Sequence, residues 1–380
     1  MLLTGASGFL GLFLLSALLK HTQANVHCLI RCDSAEQGLQ RIKDGLSSLG
    51  LSDDYDRTRI FAVPGDLSKP LLGIDPDRFA QMSEMLQVIY HNGAWVNFLH
   101  TYDTLKASNV LGTQEVLRLA GTGRLKEVHY VSTISVLQPE LTAADGDFTT
   151  EEQLFDHWQG LSSGYVQSKW VSEKILRIGS ARGIPSTIYR PGNISGAIAN
   201  GASNSSDTWS MFIDACLELG CVPDVDLSIN MLPVDFISQC IVTMSLQSKF
   251  SGRSLNLMHV RPTELRTLSE CMLAMNLVPM TMVSYQEWLQ RCTQNPATLK
   301  VATVMPVEAA EDDPPPARVD VTLQSAIDLL ADQDLSYPAM SGDLLRKYVQ
   351  WRYRRRTSSL PRSSARATAD LVLDEPTLEH

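Results

Sequence analysis

Tyr165 and Lys169 stand four residues apart in a stretch whose spacing predicts a helix over residues 165–182. Residues at i and i+4 share one face of a helix, so the two side chains should point the same way. An ammonium beside a phenol favours the phenolate and lowers the pKa of tyrosine from about 10. The pair is therefore predicted to give a proton to a carbonyl oxygen near neutral pH, with a hydroxyl of Ser132 or Thr133 holding the same oxygen.

A glycine-rich turn at residues 3–11, Leu-Thr-Gly-Ala-Ser-Gly-Phe-Leu-Gly, suggests what lies opposite that proton donor. Glycines at this spacing let a pyrophosphate approach the backbone and let the following helix pack closely against its strand. The N-terminus of that helix offers N–H groups and positive partial charge to phosphates. Because the turn follows a strand, opens a helix at residues 9–19 and precedes a strand at residues 26–31, it predicts a dinucleotide site.

Alternating strands and helices must position these groups. Further strands are predicted at residues 60–66, 88–94, 127–133, 186–191 and 254–259, with helical spacing between most of them, including a long helix at residues 102–119. Such alternation is typical of a parallel sheet that is covered by helices on both faces and binds ligands at the carboxyl ends of its strands. The predicted fold class is α/β, a Rossmann-type doubly wound parallel sheet with a smaller, mostly helical C-terminal substrate domain.

Composition and length exclude several classes of function. The 380 residues suffice for a large core and two domains, and a net charge of −10 argues against a nucleic-acid binder. Seven cysteines without CxxC spacing or a His/Cys cluster predict no metal site and suit a reducing cytoplasm. The most apolar stretch, residues 9–19, is too short to span a bilayer and follows no charged segment, so neither a membrane anchor nor a signal peptide is expected.

The motifs together resemble the extended, two-domain form of the short-chain dehydrogenase/reductase superfamily. More narrowly, the chain resembles the thioester reductase domains that end nonribosomal peptide synthetases, polyketide synthases and carboxylic acid reductases. The resemblance runs from Leu3 to about Phe236 and rests on residues 3–11, 28–31, 65–68, 90–94, 96–98, 109–113, 131–135, 164–165, 168–170, 190–194 and 232–235. It implies that NAD(P)H reduces an acyl or peptidyl chain, held as a thioester on a carrier protein's phosphopantetheine arm, to an aldehyde, and in some members on to an alcohol.

The resemblance also implies roles for individual residues. The catalytic groups would be Thr133, Tyr165 and Lys169, with Lys169 also holding the nicotinamide ribose. The remaining implied cofactor contacts are Gly5, Ser7, Gly8, Phe9 and Leu10 at the diphosphate, Asp66 and Leu67 at the adenine, Asn92, Gly93 and Ala94 at the adenosine side, and Pro191, Gly192, Asn193 and Ile194 at the carboxamide. Thr4 and Ser132 are also predicted to contact the cofactor. Asn109 is included as a weaker cofactor contact, with a structural role in its helix as the alternative.

The residue at the end of the second strand bears on the choice of cofactor. NAD-specific folds place an acid there to bind the ribose 2′-hydroxyl, whereas this chain has Arg31. A guanidinium suits the 2′-phosphate of NADP(H), and Arg41 is a candidate second contact from the next helix. Asp33 would repel that phosphate if it faced the pocket, so we expect it to cap the helix that begins near Ala35. The cofactor is predicted to be NADPH.

Two domains are expected from the pattern. Residues 1–196 with about 228–260 would form the NADP-binding domain, and residues 197–227 with about 261–356 the substrate- and carrier-binding subdomain. Residues 311–316 are predicted to be an exposed acidic, proline-rich linker, and residues 357–380 a disordered tail. The strand at the very start and the vector-like Leu-Glu-His at the end suggest a monomeric domain taken from a longer cytoplasmic synthetase.

Two alternative functions remain open at this stage. An extended dehydrogenase or epimerase acting on a nucleotide sugar or another small carbonyl or alcohol would use the same catalytic groups, usually with NAD, but Arg31 and residues 97–98 speak against it. A redox-sensing binder without enzymatic activity is disfavoured because Thr133, Tyr165 and Lys169 are all present.

Several charged segments have simpler interpretations. The four arginines within residues 352–356 fit equally well a solvated helix end and a docking patch for an acidic carrier protein. Glu151, Glu152 and residues 145–147 are predicted to be exposed charges in an insertion that could act as a lid.

Overall fold

The computed structural model describes residues 1–51, 56–137, 150–154, 156, 158–161, 163–305, 322–333 and 336–359. The chain divides into two compact units. The first comprises Met1–Ile198, Ser228–Thr263 and Ala310–Ala339, and the second comprises Ala199–Leu227, Glu264–Ala309 and Met340–His380. The predicted linker at residues 311–316, the charges at residues 145–147 and the tail from residue 360 onward lie outside the described residues.

Thirteen strands occur in the described part of the chain. They are β1 (Leu2–Thr4), β2 (Val26–Ile30), β3 (Ile60–Pro64), β4 (Val88–His91), β5 (Glu127–Val131), β6 (Ser186–Pro191), β7 (Asn193–Ser195), β8 (Cys221–Asp224), β9 (Ser228–Ile229), β10 (Met231–Pro233), β11 (Ser254–Leu257), β12 (Thr263–Glu264) and β13 (Thr281–Ser284). The first unit is built on a seven-stranded parallel sheet in the order β11-β6-β5-β4-β1-β2-β3. This sheet confirms the predicted α/β class.

Thirteen α-helices occur in the same residues. They are α1 (Phe9–His21), α2 (Ala35–Ser48), α3 (Pro76–Met85), α4 (Tyr102–Lys106), α5 (Gly112–Gly121), α6 (Gly164–Ala181), α7 (Thr208–Leu219), α8 (Val234–Ser245), α9 (Leu265–Met275), α10 (Tyr285–Gln294), α11 (Leu299–Ala302), α12 (Gln324–Asp332) and α13 (Gly342–Ser359). A π-helical turn, Ala107–Leu111, joins α4 to α5, so the long helix predicted from residue 102 is interrupted once. In the described residues, no helix combines the length and apolarity needed to cross a membrane.

The sheet core explains why these segments form strands. Every residue of β1, β2 and β6 is buried, as expected for parallel strands covered on both faces. Leu2 of β1, Leu29 of β2 and Ile188 of β6 pack in one cluster with side chains of α3, α5 and α6. Helices α1, α2 and α8 also contact the strands, and α1 is buried from Gly11 to Leu19 where it packs on α8.

The second unit is largely helical. Helix α13 packs on α7 and α9, and β8 and β13 form a short parallel pair. The prediction placed all of residues 261–356 in the second domain, which is wrong for α12. Ser325 of α12 donates through its N–H and hydroxyl to Glu151, and Thr322 O accepts from Asn256, which tie this segment to the first unit.

Candidate active site

The glycine turn forms a tight cradle between β1 and α1. Gly5 has φ +68°, and a Cβ there would lie 2.7 Å from Gly93 Cα. A Cβ on Gly11 would collide with the Gly5 carbonyl oxygen. Gly8 precedes the first turn of α1 and brings no side-chain acceptor to its N–H groups. Ser7, Phe9 and Leu10 are half-buried around this turn. Because these glycines carry no Cβ, a diphosphate can approach the backbone of the turn closely.

A buried histidine holds the cradle in place. His91, at the end of β4, bonds Thr4 Oγ1 through Nδ1 at 2.8 Å and Thr113 Oγ1 through Nε2 at 3.0 Å. Thr113 donates its hydroxyl proton to Asn109 O, so Nε2 carries the proton and Thr4 donates to Nδ1. Burial, together with the Lys169 charge, lowers the pKa of His91 to about 3 and keeps the ring neutral. Gly93 N–H in turn donates to Thr4 Oγ1 at 2.8 Å.

Several residues that were predicted to contact the cofactor make hydrogen bonds or packing contacts within the protein. Thr4 is fully buried and its hydroxyl is engaged by His91 and Gly93, so it shapes the turn from behind. Asn92 Nδ2 donates weakly to Gly5 O at 3.4 Å, and Ala94 follows half-buried. Leu67 lies beneath Gly93, where a Cβ would meet its Cδ1 at 2.7 Å.

Asn109 lies in the π-helical turn, and both polar atoms of its side chain form hydrogen bonds with other residues of the chain. Its Oδ1 accepts from Trp95 N at 2.7 Å, and its Nδ2 donates to Trp95 O and to Ser168 Oγ at 2.9 Å. Ser168 Oγ donates in turn to Tyr165 O. The observed contacts fit a structural role for Asn109, which was the alternative to cofactor binding. Its side chain joins the loop after β4 to the first turns of α6.

Helix α6 begins at the Ser163 cap, whose side chain accepts from Val166 N, and it carries Tyr165 and Lys169 on one face. Lys169 Nζ donates to Val131 O at 2.7 Å and lies 4.6 Å from the centre of the Tyr130 ring. Burial lowers the pKa of Lys169 to about 7, against the opposing effect of the Glu173 carboxylate. The contact with Val131 joins α6 to the end of β5, directly before Ser132 and Thr133.

The expected lowering of the tyrosine pKa is not found. Burial raises the pKa of Tyr165 above its ordinary value, because the ring is only 7% exposed and the phenolate would be poorly solvated there. The Lys169 ammonium is directed to a backbone carbonyl of β5. Burial consequently keeps Tyr165 as the neutral phenol.

The end of β5 presents two hydroxyls beside α6. Thr133 caps a short 3₁₀ turn, and its Oγ1 makes long contacts, 3.4 Å, to Ser135. Ser132 Oγ is buried and has no hydrogen-bond partner among the residues that the structure describes. A buried polar atom without a partner costs free energy, so this hydroxyl fits a site that a polar ligand completes. With the glycine cradle, it fits a bound nicotinamide dinucleotide.

The segment after β6 supplies the remaining predicted contacts. Gly192 N donates to Leu257 O, and Asn193 Nδ2 donates to Asn230 O. Ile194 of β7 pairs with Leu232 of β10. Pro191 ends β6 and is fully held in the sheet, so this segment is placed by backbone pairing at the carboxyl edge.

A cavity of about 500 Å³ opens at the carboxyl ends of β2 and β3. Its lining includes Arg31, Arg41, Asp33, Asp66 and Lys69. The Asp66 carboxylate accepts hydrogen bonds from the N–H and the hydroxyl of Ser68. Burial raises the pKa of Asp66, but these hydrogen bonds outweigh burial and hold the pKa below its ordinary value. Lys69 was missed by the sequence argument, because only the fold brings the loop after β3 to Arg31.

The expected role of Asp33 is wrong. Ser34 caps α2, accepting from Gln37 N at 3.2 Å, because it is the residue directly before Ala35. Asp33 is exposed, lines the cavity, and uses its backbone N–H to bind Gln37 Oε1. Three cationic side chains and two carboxylates therefore surround this cavity.

The prediction of exposed charges at Glu151 is also wrong. Glu151 is 4% exposed and accepts from Asn256 N and from Ser325, while Glu152 pairs with Arg253. The backbone of Glu151 and Gln153 accepts from Arg190, which forms a fully buried ion pair with Glu173.

The arginines at residues 352–356 are partly committed within the second unit. Arg352 pairs with Asp214, and Arg356 pairs with Glu218, both on α7. Arg355 stacks on the Trp351 ring. Ion pairs with α7 therefore explain two of the four arginines.

Known proteins share the fold described above. The family model described as Male sterility protein, an NAD-binding domain, matches residues 3–241. The terminal R domain from the myxalamid PKS-NRPS pathway superposes with a TM-score of 0.84 at 34% identity, covering 93% of this chain and 90% of that one.

Curated relatives are much longer proteins. One component of the linear gramicidin synthase of Brevibacillus parabrevis is 40% identical over 263 residues, covering 69% of this chain and 5% of that protein. Isonitrile lipopeptide synthase of Streptomyces coeruleorubidus is 40% identical over 248 residues, covering 64% of this chain and 16% of that protein. The chain thus spans a small part of these relatives, and the resemblance to synthetase reductase domains is confirmed.

Proposed function

The chain belongs to the NAD-binding family described as Male sterility protein, and from this premise we propose that it is the reductase domain of a synthetase. It reduces an acyl or peptidyl thioester, presented on the phosphopantetheine arm of a carrier protein, and releases an aldehyde. The observation that carries the proposal is the junction of α6 and β5. There Lys169 binds Val131 O, and next to Thr133 lies the buried Ser132 hydroxyl, which has no partner within the described part of the chain.

The residues of this junction divide the chemistry among them. Bound NADPH supplies hydride to the carbonyl carbon. Tyr165, which burial keeps protonated, gives its phenolic proton to the carbonyl oxygen, while the Thr133 hydroxyl orients that oxygen. Collapse of the resulting hemithioacetal breaks the carbon–sulfur bond and yields the aldehyde and the pantetheine thiol. Lys169, which donates to Val131 O at the end of β5, would hold the nicotinamide ribose.

NADPH rather than NADH is supported by the cavity at β2 and β3. Arg31, Arg41 and Lys69 bring three cations to it, and a 2′-phosphate is a ligand that guanidinium groups bind in a bidentate manner. Asp33 and Asp66 oppose them, but Asp66 already accepts two hydrogen bonds from Ser68. The net charge around the cavity favours the phosphate.

The direct test is turnover. The protein is incubated with NADPH and an octanoyl-pantetheine thioester, while nicotinamide absorbance and aldehyde formation are followed together. Tyr165→Phe keeps the ring and removes the proton donor, so kcat should fall by about 10²-fold or more while the NADPH dissociation constant stays within about twofold. Retained activity in this variant would assign the proton transfer to another group. Absence of turnover with every thioester and aldehyde tried would exclude reductive release.

A further inference from the structure

The loop after β4 exposes large apolar side chains next to one another. Trp95, Val96, Phe98 and Leu99, here called the apolar loop, are 45%, 59%, 51% and 65% exposed. Other exposed large hydrophobic residues in the described part of the first unit occur singly along the chain. Contiguous apolar surface of this kind marks a binding site more often than an isolated exposed residue does.

Polar contacts hold this loop in one conformation. Asn97 Oδ1 accepts from the backbone N–H groups of Leu99 and His100, at 2.9 and 3.2 Å. Asn109 binds both backbone groups of Trp95, and the His100 ring packs edge-on against the Trp95 ring. The backbone is therefore fixed while the apolar side chains stay in water, an arrangement that costs free energy unless something covers them.

The apolar loop adjoins the proton donor. The Phe98 ring packs edge-on against the Tyr165 ring, with centroids 5.1 Å apart. The amide of Asn109 joins the loop to Ser168, whose hydroxyl binds Tyr165 O. Any molecule that covers Phe98 and its neighbours consequently lies beside the phenol that reacts.

Resting on the proposed function, we propose that the apolar loop binds the hydrocarbon part of the acyl chain next to the thioester carbonyl, and so selects apolar acyl substrates. Residues 95–99 carry no charged side chain. A charged or strongly polar acyl chain would lose water there without gaining a partner, whereas each methylene removed from water is worth about fourfold in binding. The occupant is the acyl chain because the surface begins at the catalytic tyrosine.

The test compares two thioesters with NADPH: octanoyl-pantetheine and acetyl-pantetheine, which differ by six methylenes. The double variant Val96→Ser/Leu99→Ser changes the two most exposed side chains of the loop and leaves Phe98 on Tyr165. We expect its octanoyl-to-acetyl ratio of kcat/KM to fall by about tenfold or more, equivalent to losing the burial of roughly two methylenes. Its kcat/KM for acetyl-pantetheine and its NADPH dissociation constant should stay within about twofold.

Leu125→Ser is the matched control, since Leu125 is 55% exposed and precedes β5 at the opposite edge of the sheet. It should leave the ratio unchanged. An unchanged ratio in the double variant, or an equal loss on both thioesters, overturns the inference, the second because the loop would then only position Tyr165. A shift from dimer to monomer by light scattering would assign the surface to a second copy of the chain and also overturn it.

Two further outcomes separate the inference from its premise. If the parent protein reduces neither thioester, the proposed function fails and the inference falls with it. If the parent reduces both with equal kcat/KM, reductive release stands and apolar selection by the loop is refuted. Should the double variant lose NADPH affinity through misfolding, Leu99→Gln alone is judged by the same criteria.

Discussion

Removing one partner of the buried ion pair between Arg190 and Glu173 should strongly destabilise the first unit. Both side chains are fully buried; Arg190 Nη2 lies 2.6 Å from Glu173 Oε2, and Nε lies 3.0 Å from Oε1. Glu173→Gln keeps the shape and removes the charge, leaving a guanidinium uncompensated in the core. Breaking such a pair by removing one partner costs about 3–5 kcal/mol.

Removing the arginine should cost more than removing the glutamate. Arg190 also donates to Glu151 O at 2.9 Å and to Gln153 O at 3.1 Å. Arg190→Met therefore leaves the buried Glu151 carbonyl unsatisfied, which costs about 1–3 kcal/mol, in addition to the bare Glu173 carboxylate, whereas the Gln153 carbonyl belongs to an exposed residue. We expect a total loss of about 4–8 kcal/mol for Arg190→Met, from these two terms together.

Urea unfolding followed by circular dichroism measures both variants. Asp332→Asn is the matched control in the same unit, because its ion pair with Lys249 is about half exposed on each side and should be worth less than about 1 kcal/mol. A loss below about 1 kcal/mol for Glu173→Gln, or a smaller loss for Arg190→Met than for Glu173→Gln, would refute this account of the pair.

Three further outcomes follow from the same structure. Gly11→Ala should weaken NADPH binding by at least about tenfold in a fluorescence titration, since its Cβ would collide with the Gly5 carbonyl and overpacking forces backbone shifts; unchanged affinity would contradict the cradle. Arg31→Ala should raise KM for NADPH far more than KM for NADH, and equal effects in steady-state assays would argue against 2′-phosphate binding. The folded pKa of Lys169, about 7, lies below its unfolded value, so between pH 7 and about 10 the unfolded chain binds more protons and stability rises with pH. The difference in unfolding free energy between parent and Lys169→Met should therefore grow by up to about 1.4 kcal/mol per pH unit in that window, and a flat difference would contradict the burial of the ammonium.

Strand positions were predictable because each main strand coincides with a short run of apolar residues. The strand expected at residues 26–31 is Val26–Ile30, and Arg31 follows it at the carboxyl edge. The helix expected at residues 102–119 contains the π-helical turn Ala107–Leu111, which its composition does not reveal. That turn carries Asn109, whose amide binds Trp95 and Ser168. Tertiary contacts therefore explain why the helix is interrupted there.

The candidate site also has parts that the sequence predicts and parts that it does not. The glycine cradle was predictable, since glycine is required wherever backbone segments approach within Cβ distance, as Gly5 and Gly93 do. Glu151 was mistaken for an exposed charge because its partners, Asn256 and Ser325, are more than a hundred residues away. Lys69 was missed for a similar reason, because a lysine after a strand carries no sign of the cavity that it lines.

Helix α6 is fixed to the sheet by two opposite charges one helical turn apart. Lys169 binds the Val131 carbonyl of β5, and Glu173 binds Arg190 of β6. Tyr165 stands one turn earlier on the same helix, and the Asn109–Ser168 contact ties that turn to the apolar loop. The phenol is therefore positioned by attachments that lie along α6 rather than by a hydrogen bond from Lys169 itself. Changes at Glu173 should consequently affect Tyr165, the proposed proton donor, through the position of the helix, although Glu173 is not itself a proposed catalytic group.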